Sequence, residues 1–313
     1  MAGARSLALR TAKVVAAVGD RVRPPVSGVV VLIYHRVGGG SGGEVDLPAP
    51  AFDEQMAWLA GSGRVVDLDG AVDLLVGGHP WPSPGELTGR GVPAGVDGEP
   101  AAPTGAARPW APATSPDLDD AADPPVVVTF DDGTVDLADV ATPILERHGV
   151  PATVYLATRH VDEEVPFPGG ARPLSWGACR DMASTGLVTF GSHTHGHLLL
   201  DRLAPAEAAV ELDRSRDLLQ HHLGVPAHHF AYPKAVAASG AVEPLVRRRF
   251  RSAALGGNRP NPFRGTDVHR LARTAVQVSD GRAWFVRKAR GGMALEDGLR
   301  RAVNRVRYRG VTR

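Results

Sequence analysis

Two clusters of residues in this chain have the types and the spacing to hold an ion and activate a water molecule. Asp131-Asp132-Gly133 follows directly on the apolar run Val126-Val127-Val128-Thr129-Phe130, and Gly191-Ser192-His193-Thr194-His195-Gly196-His197 follows Val188-Thr189-Phe190. Neighbouring residues leaving a strand point to opposite sides, so one aspartate could bind a metal while the other accepts a proton. His193 and His197 are four positions apart. If His193 opens a helical turn, both rings lie on one face and can chelate one ion. His195 falls at the wrong offset and is expected toward solvent or behind the ligands. Each cluster alone has a plain structural explanation, since Asp and Gly build turns and a His-rich loop can be adventitious. Two such clusters at two strand ends favour chemistry, because α/β folds place active sites at the carboxyl ends of their strands.

The elements that must position these residues read as alternating strands and helices. Gly28 to Tyr34 is a continuous β-branched run of the kind buried on both faces of a parallel sheet, and it ends at His35. The glycines at 38, 39, 40, 42 and 43 predict a mobile loop. Phe52, Met56 and Leu59 then mark a helix face. Val65 to Leu68 reads as a short strand and Ala71 to Val76 as a short helix. Further strands are expected at Val126 to Phe130, Pro151 to Ala157, Val188 to Phe190, Phe230 to Tyr232 and Ser252 to Leu255. The intervening helices are Leu137 to His148, Trp176 to Ser184, Pro205 to Leu223 and Val242 to Phe250. This alternation predicts an α/β fold with a mainly parallel sheet and helices outside it.

Domain organisation follows from composition. Residues 82–123 are rich in Pro, Gly, Ala, Ser and Asp without apolar periodicity, which predicts a disordered insertion that cannot offset its ordering entropy. It interrupts one domain over residues 28–285. A basic or amphipathic segment, 1–27, precedes that domain, and a basic helix or tail, 286–313, follows it.

The 35 Lys and Arg nearly cancel the 34 Asp and Glu, so nothing global points to nucleic acid. The basic termini are expected to make peripheral membrane contact at most. No stretch reaches the roughly 20 apolar residues of a membrane-spanning helix. The apolar run Val14 to Val18 is followed by no clear small-residue cleavage site, and Lys13 sits beside it. A cytoplasmic or membrane-peripheral location is therefore expected. The single cysteine, Cys179, excludes an intramolecular disulfide and reads as a buried helix residue rather than a nucleophile.

Thr129-Phe130-Asp131-Asp132-Gly133 and Ser192-His193-Thr194-His195-Gly196-His197 resemble the first two motifs of the polysaccharide deacetylase family, also called the NodB-homology or carbohydrate esterase 4 group. Pro151-Ala152-Thr153 and Ser175-Trp176 also resemble family segments. The resemblance spans about residues 29–285, the insertion excepted. It implies a distorted (β/α) barrel with fewer than eight regular units. It also implies Asp131 as catalytic base and one divalent metal, usually zinc, held by Asp132, His193 and His197. Three protein ligands would leave positions open for water and for the acetyl carbonyl oxygen. The third motif is matched in part by Phe230-Ala231-Tyr232-Pro233, which implies that the Tyr232 N–H helps stabilise the oxyanion. Lys234, Ala235 and His229 depart from the family pattern. Leu271-Ala272-Arg273 resembles the segment that supplies an arginine to orient the base, although a surface arginine is the plain alternative. No histidine follows His269, so the usual C-terminal acid motif is absent. Tyr34-His35-Arg36-Val37 instead resembles members with permuted motif order, in which this early histidine is the general acid.

Two function classes follow. One is a hydrolase that removes N-acetyl or O-acetyl groups from an acetylated glycan. The other is a carbohydrate-binding or scaffolding relative that keeps the pocket without turnover, suggested by the altered third motif and opposed by the retained base and ligand residues. A different metal class, the non-haem iron oxygenase, would usually carry a His-x-Asp or His-x-Glu triplet followed by a distant His, and bound-metal analysis separates the two.

Overall fold

The computed structural model describes residues 26–77 and 123–294. The segment 1–25, most of the expected insertion and the tail beyond 294 lie outside the described residues. The strands are β1 (Gly28–Tyr34), β2 (Arg36–Val37), β3 (Asp46–Leu47), β4 (Val126–Phe130), β5 (Ala152–Leu156), β6 (Val188–Ser192), β7 (His229–Ala231), β8 (Ser252–Ala254), β9 (Asn261–Pro262) and β10 (Arg273–Ala275). The helices are α1 (Ala49–Ser62), α2 (Leu68–Gly77), α3 (Thr142–His148), α4 (Thr158–Asp162), α5 (Trp176–Ser184), α6 (Pro205–Leu223), α7 (Glu243–Arg249) and α8 (Gly281–Ala289).

The main sheet runs β10-β1-β4-β5-β6-β7-β8, with every neighbour parallel, and β9 pairs antiparallel with the start of β1. It curls far enough that its ends meet. Ala254 bridges Leu271 in parallel, the Leu271 N–H donates to Ala253 O, and the Leu255 N–H donates to Leu271 O. The architecture is thus the distorted (β/α) barrel with fewer than eight regular units expected from the sequence.

Alternation along the strands sorts side chains between two layers. Val30, Leu32, Val126, Val128, Phe130, Val154 and Phe230 pack outward against the helices. Val29, Val31, Val127, Tyr155, Ala231 and Ala254 fill a separate inner cluster. Continuing the inner set by twos along each strand reaches His35, Thr129, Asp131, Gly191, His193 and Arg273. The barrel interior is tight there. A Cβ on Gly191 would stand 2.7 Å from His229 O and 2.8 Å from the Tyr155 ring.

Three local expectations change. Val65 makes one bridge to Val126 and the chain turns into α2 at Leu68, so the short strand does not extend. The glycine loop after β2 is pinned rather than loose, because the buried Asp46 carboxylate accepts the N–H groups of Gly39 (2.9 Å) and Ser41 (2.6 Å). The helix α8 spans the boundary drawn at residue 285, and the buried Lys288 ammonium donates to Asp280 (2.8 and 2.9 Å) and to Ala275 O (2.9 Å), clipping α8 onto β10.

Candidate active site

Asp131 directly follows β4, on the inward-facing side. It is 3% exposed, and its N–H donates to Tyr34 O at 3.1 Å. Arg273, at the start of β10, is fully buried and donates Nη1 to Oδ1 at 2.6 Å and Nη2 to Oδ2 at 2.8 Å. The guanidinium is itself held. Its Nε donates to Leu255 O at 3.1 Å, and its carbon lies 5.2 Å from the centroid of the Tyr155 ring. Burial pushes the Asp131 carboxyl up, but Arg273 and then His193 outweigh it and bring it down to about 2. Arg273 is therefore no surface residue; it keeps Asp131 anionic and fixes its plane.

Asp132, the next residue, has a left-handed backbone (φ 73°) and turns out of the strand. Its Oδ1 lies 3.4 Å from His197 Nε2 and 3.8 Å from His193 Nε2. One donor atom from each of Asp132, His193 and His197 lies within 4.8 Å of the others, so the sequence-predicted trio converges. His193 follows β6, where its N–H donates to Leu156 O at 2.8 Å. Its Nδ1 is 2.7 Å from Ala231 O, a partner that can only accept, so Nδ1 carries the proton and Nε2 presents a lone pair to Asp132. Burial lowers both His193 and His197 to about 4, against the pull of Asp131, which keeps both rings neutral at physiological pH. Two neutral imidazoles and one carboxylate form the N, N, O donor set of a three-ligand zinc site. The residues fit the ion that the resemblance implied.

The route by which the two rings meet differs from the expected helical turn. No helix follows β6. Thr194 (φ 65°) and His197 (φ 57°) adopt left-handed conformations instead, and the ring centroids come to 5.0 Å. His195 points away from the trio, with Nδ1 3.1 Å from the Thr158 hydroxyl at the start of α4.

His35 lies at the end of β1, close enough to act electrostatically on both Asp131 and His197, and its buried Nδ1 has no hydrogen-bond partner. Its neighbours are fixed: the Val37 N–H donates to Asp136 at 2.7 Å, and Arg36 Nε lies 3.5 Å from the same carboxylate.

Tyr232, just past β7, donates its N–H to Ala254 O at the end of β8 at 3.0 Å, and its ring is fully buried against Phe230. Two residues not singled out from the sequence also enter: Tyr155, beneath Arg273, and Glu211 on α6, whose Oε2 accepts the Gly196 N–H at 2.7 Å. Inner parity on β5 would have placed Tyr155; a glutamate on a helix face carries no such signal.

Residues 119–246 match the family model described as polysaccharide deacetylase. The match includes both motifs whose side chains converge here. The match covers less than half of the chain, and it is the segment 119–246 that is similar to polysaccharide deacetylases. A curated relative, YxkH of Bacillus subtilis (strain 168), is 29% identical over 108 residues, a stretch that covers 34% of this chain and only 36% of YxkH. In fold the chain is similar to IcaB from Ammonifex degensii, with a TM-score of 0.62 at 22% identity over 85% of this chain and 98% of that one. It is also similar to the Streptococcus pyogenes deacetylase PplD in complex with acetate, with a TM-score of 0.59 at 18% identity over 85% of this chain and 99% of that one. The family-model match stops short of β1 and β10, so His35 and Arg273 enter the site from strands outside it.

Proposed function

We propose that this chain is a metal-dependent hydrolase that removes N-acetyl or O-acetyl groups from a carbohydrate. The observation that carries the reading is an anionic, Arg273-clamped Asp131 whose Oδ2 lies 3.7 Å from His193 Nε2, at the edge of a convergent Asp132-His193-His197 trio. A divalent ion, zinc by its donor set, would be held by that trio and would supply Lewis acidity for water and the acetyl carbonyl. Asp131 accepts the proton from the attacking water, and Arg273 keeps the carboxylate aimed during that transfer. His35, beside Asp131 at the same mouth, donates a proton to the departing amine or alkoxide. A carboxylate fixed by a buried bidentate arginine serves little purpose in a pocket that only binds, which favours turnover over a scaffolding role.

The same reading makes an acetylated glycan the partner and keeps the basic segments 1–27 and 286–313 as flanks of the 28–285 domain, at the membrane periphery or in the cytoplasm. Among the described residues no helix is long and apolar enough to cross a membrane. Acetate release from a panel of acetylated glycans and N-acetylated sugars, with metal content measured on the same sample, tests the proposal. Release that stops on chelation and returns with zinc supports it. No release from any member by metal-loaded protein sinks it.

A further inference from the structure

The loop carrying both imidazoles is held from outside the barrel by one helix. Glu211 and Ser215 of α6 are one turn apart, hence on one face, and both reach the segment 192–197. Glu211 Oε2 accepts the Gly196 N–H at 2.7 Å. The Ser215 hydroxyl lies 2.8 Å from that of Ser192, whose Oγ accepts the Thr194 N–H at 3.2 Å. Between and beside these anchors, Thr194 and His197 occupy the left-handed region, which side chains with a Cβ adopt only when their surroundings enforce it. The Glu211 anchor acts on the residue immediately before His197. It also fits closely: a Cβ on Gly196 would stand 3.2 and 3.4 Å from the two Glu211 carboxylate oxygens.

We propose that Glu211 is a positioning residue for the metal site, holding His197 in the backbone conformation that aims its Nε2 at Asp132 and so setting the affinity for the ion. The inference rests on the metal reading given above. Glu211 is not among the three residues whose donor atoms converge, so it acts through the Gly196 amide rather than on the ion. The carboxylate is suited to this because a hydrogen bond to a charged acceptor is stronger than one between neutral groups. Outer partners that orient ligands typically contribute about 10- to 100-fold in metal affinity.

The test is zinc titration of the full chain against a competing chromophoric chelator, with thermal melts of the metal-free proteins alongside. Glu211→Ala should bind zinc about 10- to 100-fold more weakly while its metal-free melt stays close to wild type. Glu211→Gln, whose side-chain oxygen can still accept the Gly196 N–H, should stay near wild-type affinity. Gly196→Ala should also weaken zinc by crowding the carboxylate, and should add less in the Glu211→Ala background, where only the Leu198 side chain, 3.4 Å from that Cβ, remains close. Wild-type affinity in Glu211→Ala overturns the proposal, as does a loss in Glu211→Gln equal to that in Glu211→Ala. If Glu211→Ala does not fold, Gly196→Ala decides, and unchanged affinity there overturns it. A wild-type chain that takes up no zinc overturns the metal reading itself, an outcome read on the unmodified protein and so distinct from the others.

Discussion

Arg273 and Asp131 stand 142 positions apart in the chain and meet as a two-pronged ion pair, 2.6 and 2.8 Å, with both side chains buried. Arg273→Ala strands a buried carboxylate, a change that costs about 3–5 kcal/mol when one partner of a buried pair is removed. Urea denaturation of the metal-free protein checks this. Arg273→Lys keeps the charge but not the fork, so it should recover only part of the stability. Arg273 also holds the Asp131 carboxyl down, so the acid limb of the pH–rate profile should move to higher pH in Arg273→Ala. An unmoved limb would mean that another group titrates there.

Asp131→Asn should leave the ligand trio intact and remove the proton acceptor. Zinc content is expected to stay at the wild-type level while kcat falls by about 10² to 10⁴. Near-normal turnover would move the base elsewhere.

His35→Ala should keep fold and zinc but slow hydrolysis in proportion to how much the leaving group needs a proton. Acetylated amino sugars should suffer most, and an activated aryl acetate least. Equal losses on both substrate types count against the acid role.

At the opposite end of the barrel, His229 Nε2 lies 3.2 Å from Asp69 on α2 and its Nδ1 lies 2.9 Å from the Ser252 hydroxyl. The His229 contact, helped by Arg251, lowers the Asp69 carboxyl from its ordinary 3.8 to about 2. A carboxyl whose folded value is depressed adds stability that is complete above its unfolded value and is lost as pH falls through the folded one. Asp69→Asn should therefore melt below wild type at pH 5, and the gap should close between about pH 4 and pH 2. A gap that persists at pH 2 would assign the effect to something other than ionisation.

Much of the fold is legible because β1, β4, β5 and β6 are written in β-branched and apolar residues that a buried parallel sheet demands. The same alternation carries the site: Val127, Thr129 and Asp131 share one face, so the spacing alone turns Asp131 inward. Arg273 is harder to read, because its strand is the three residues Arg-Thr-Ala, which carry no strand signature, and its burial follows only from barrel closure. The left-handed turns at Asp132, Thr194 and His197 are illegible for a related reason. None of the three is glycine, so no residue type marks the turn as firmly as glycine would. The partner of the Tyr232 amide is illegible likewise, since the register between β7 and β8 decides where that amide goes.

Since β1 lies between β4 and β10, the barrel seats its last strand beside its first. The three converging donor residues lie between residues 132 and 197, whereas the arginine that clamps Asp131 arrives with residue 273. During synthesis the trio therefore emerges from the ribosome before the side chain that fixes its neighbouring carboxylate.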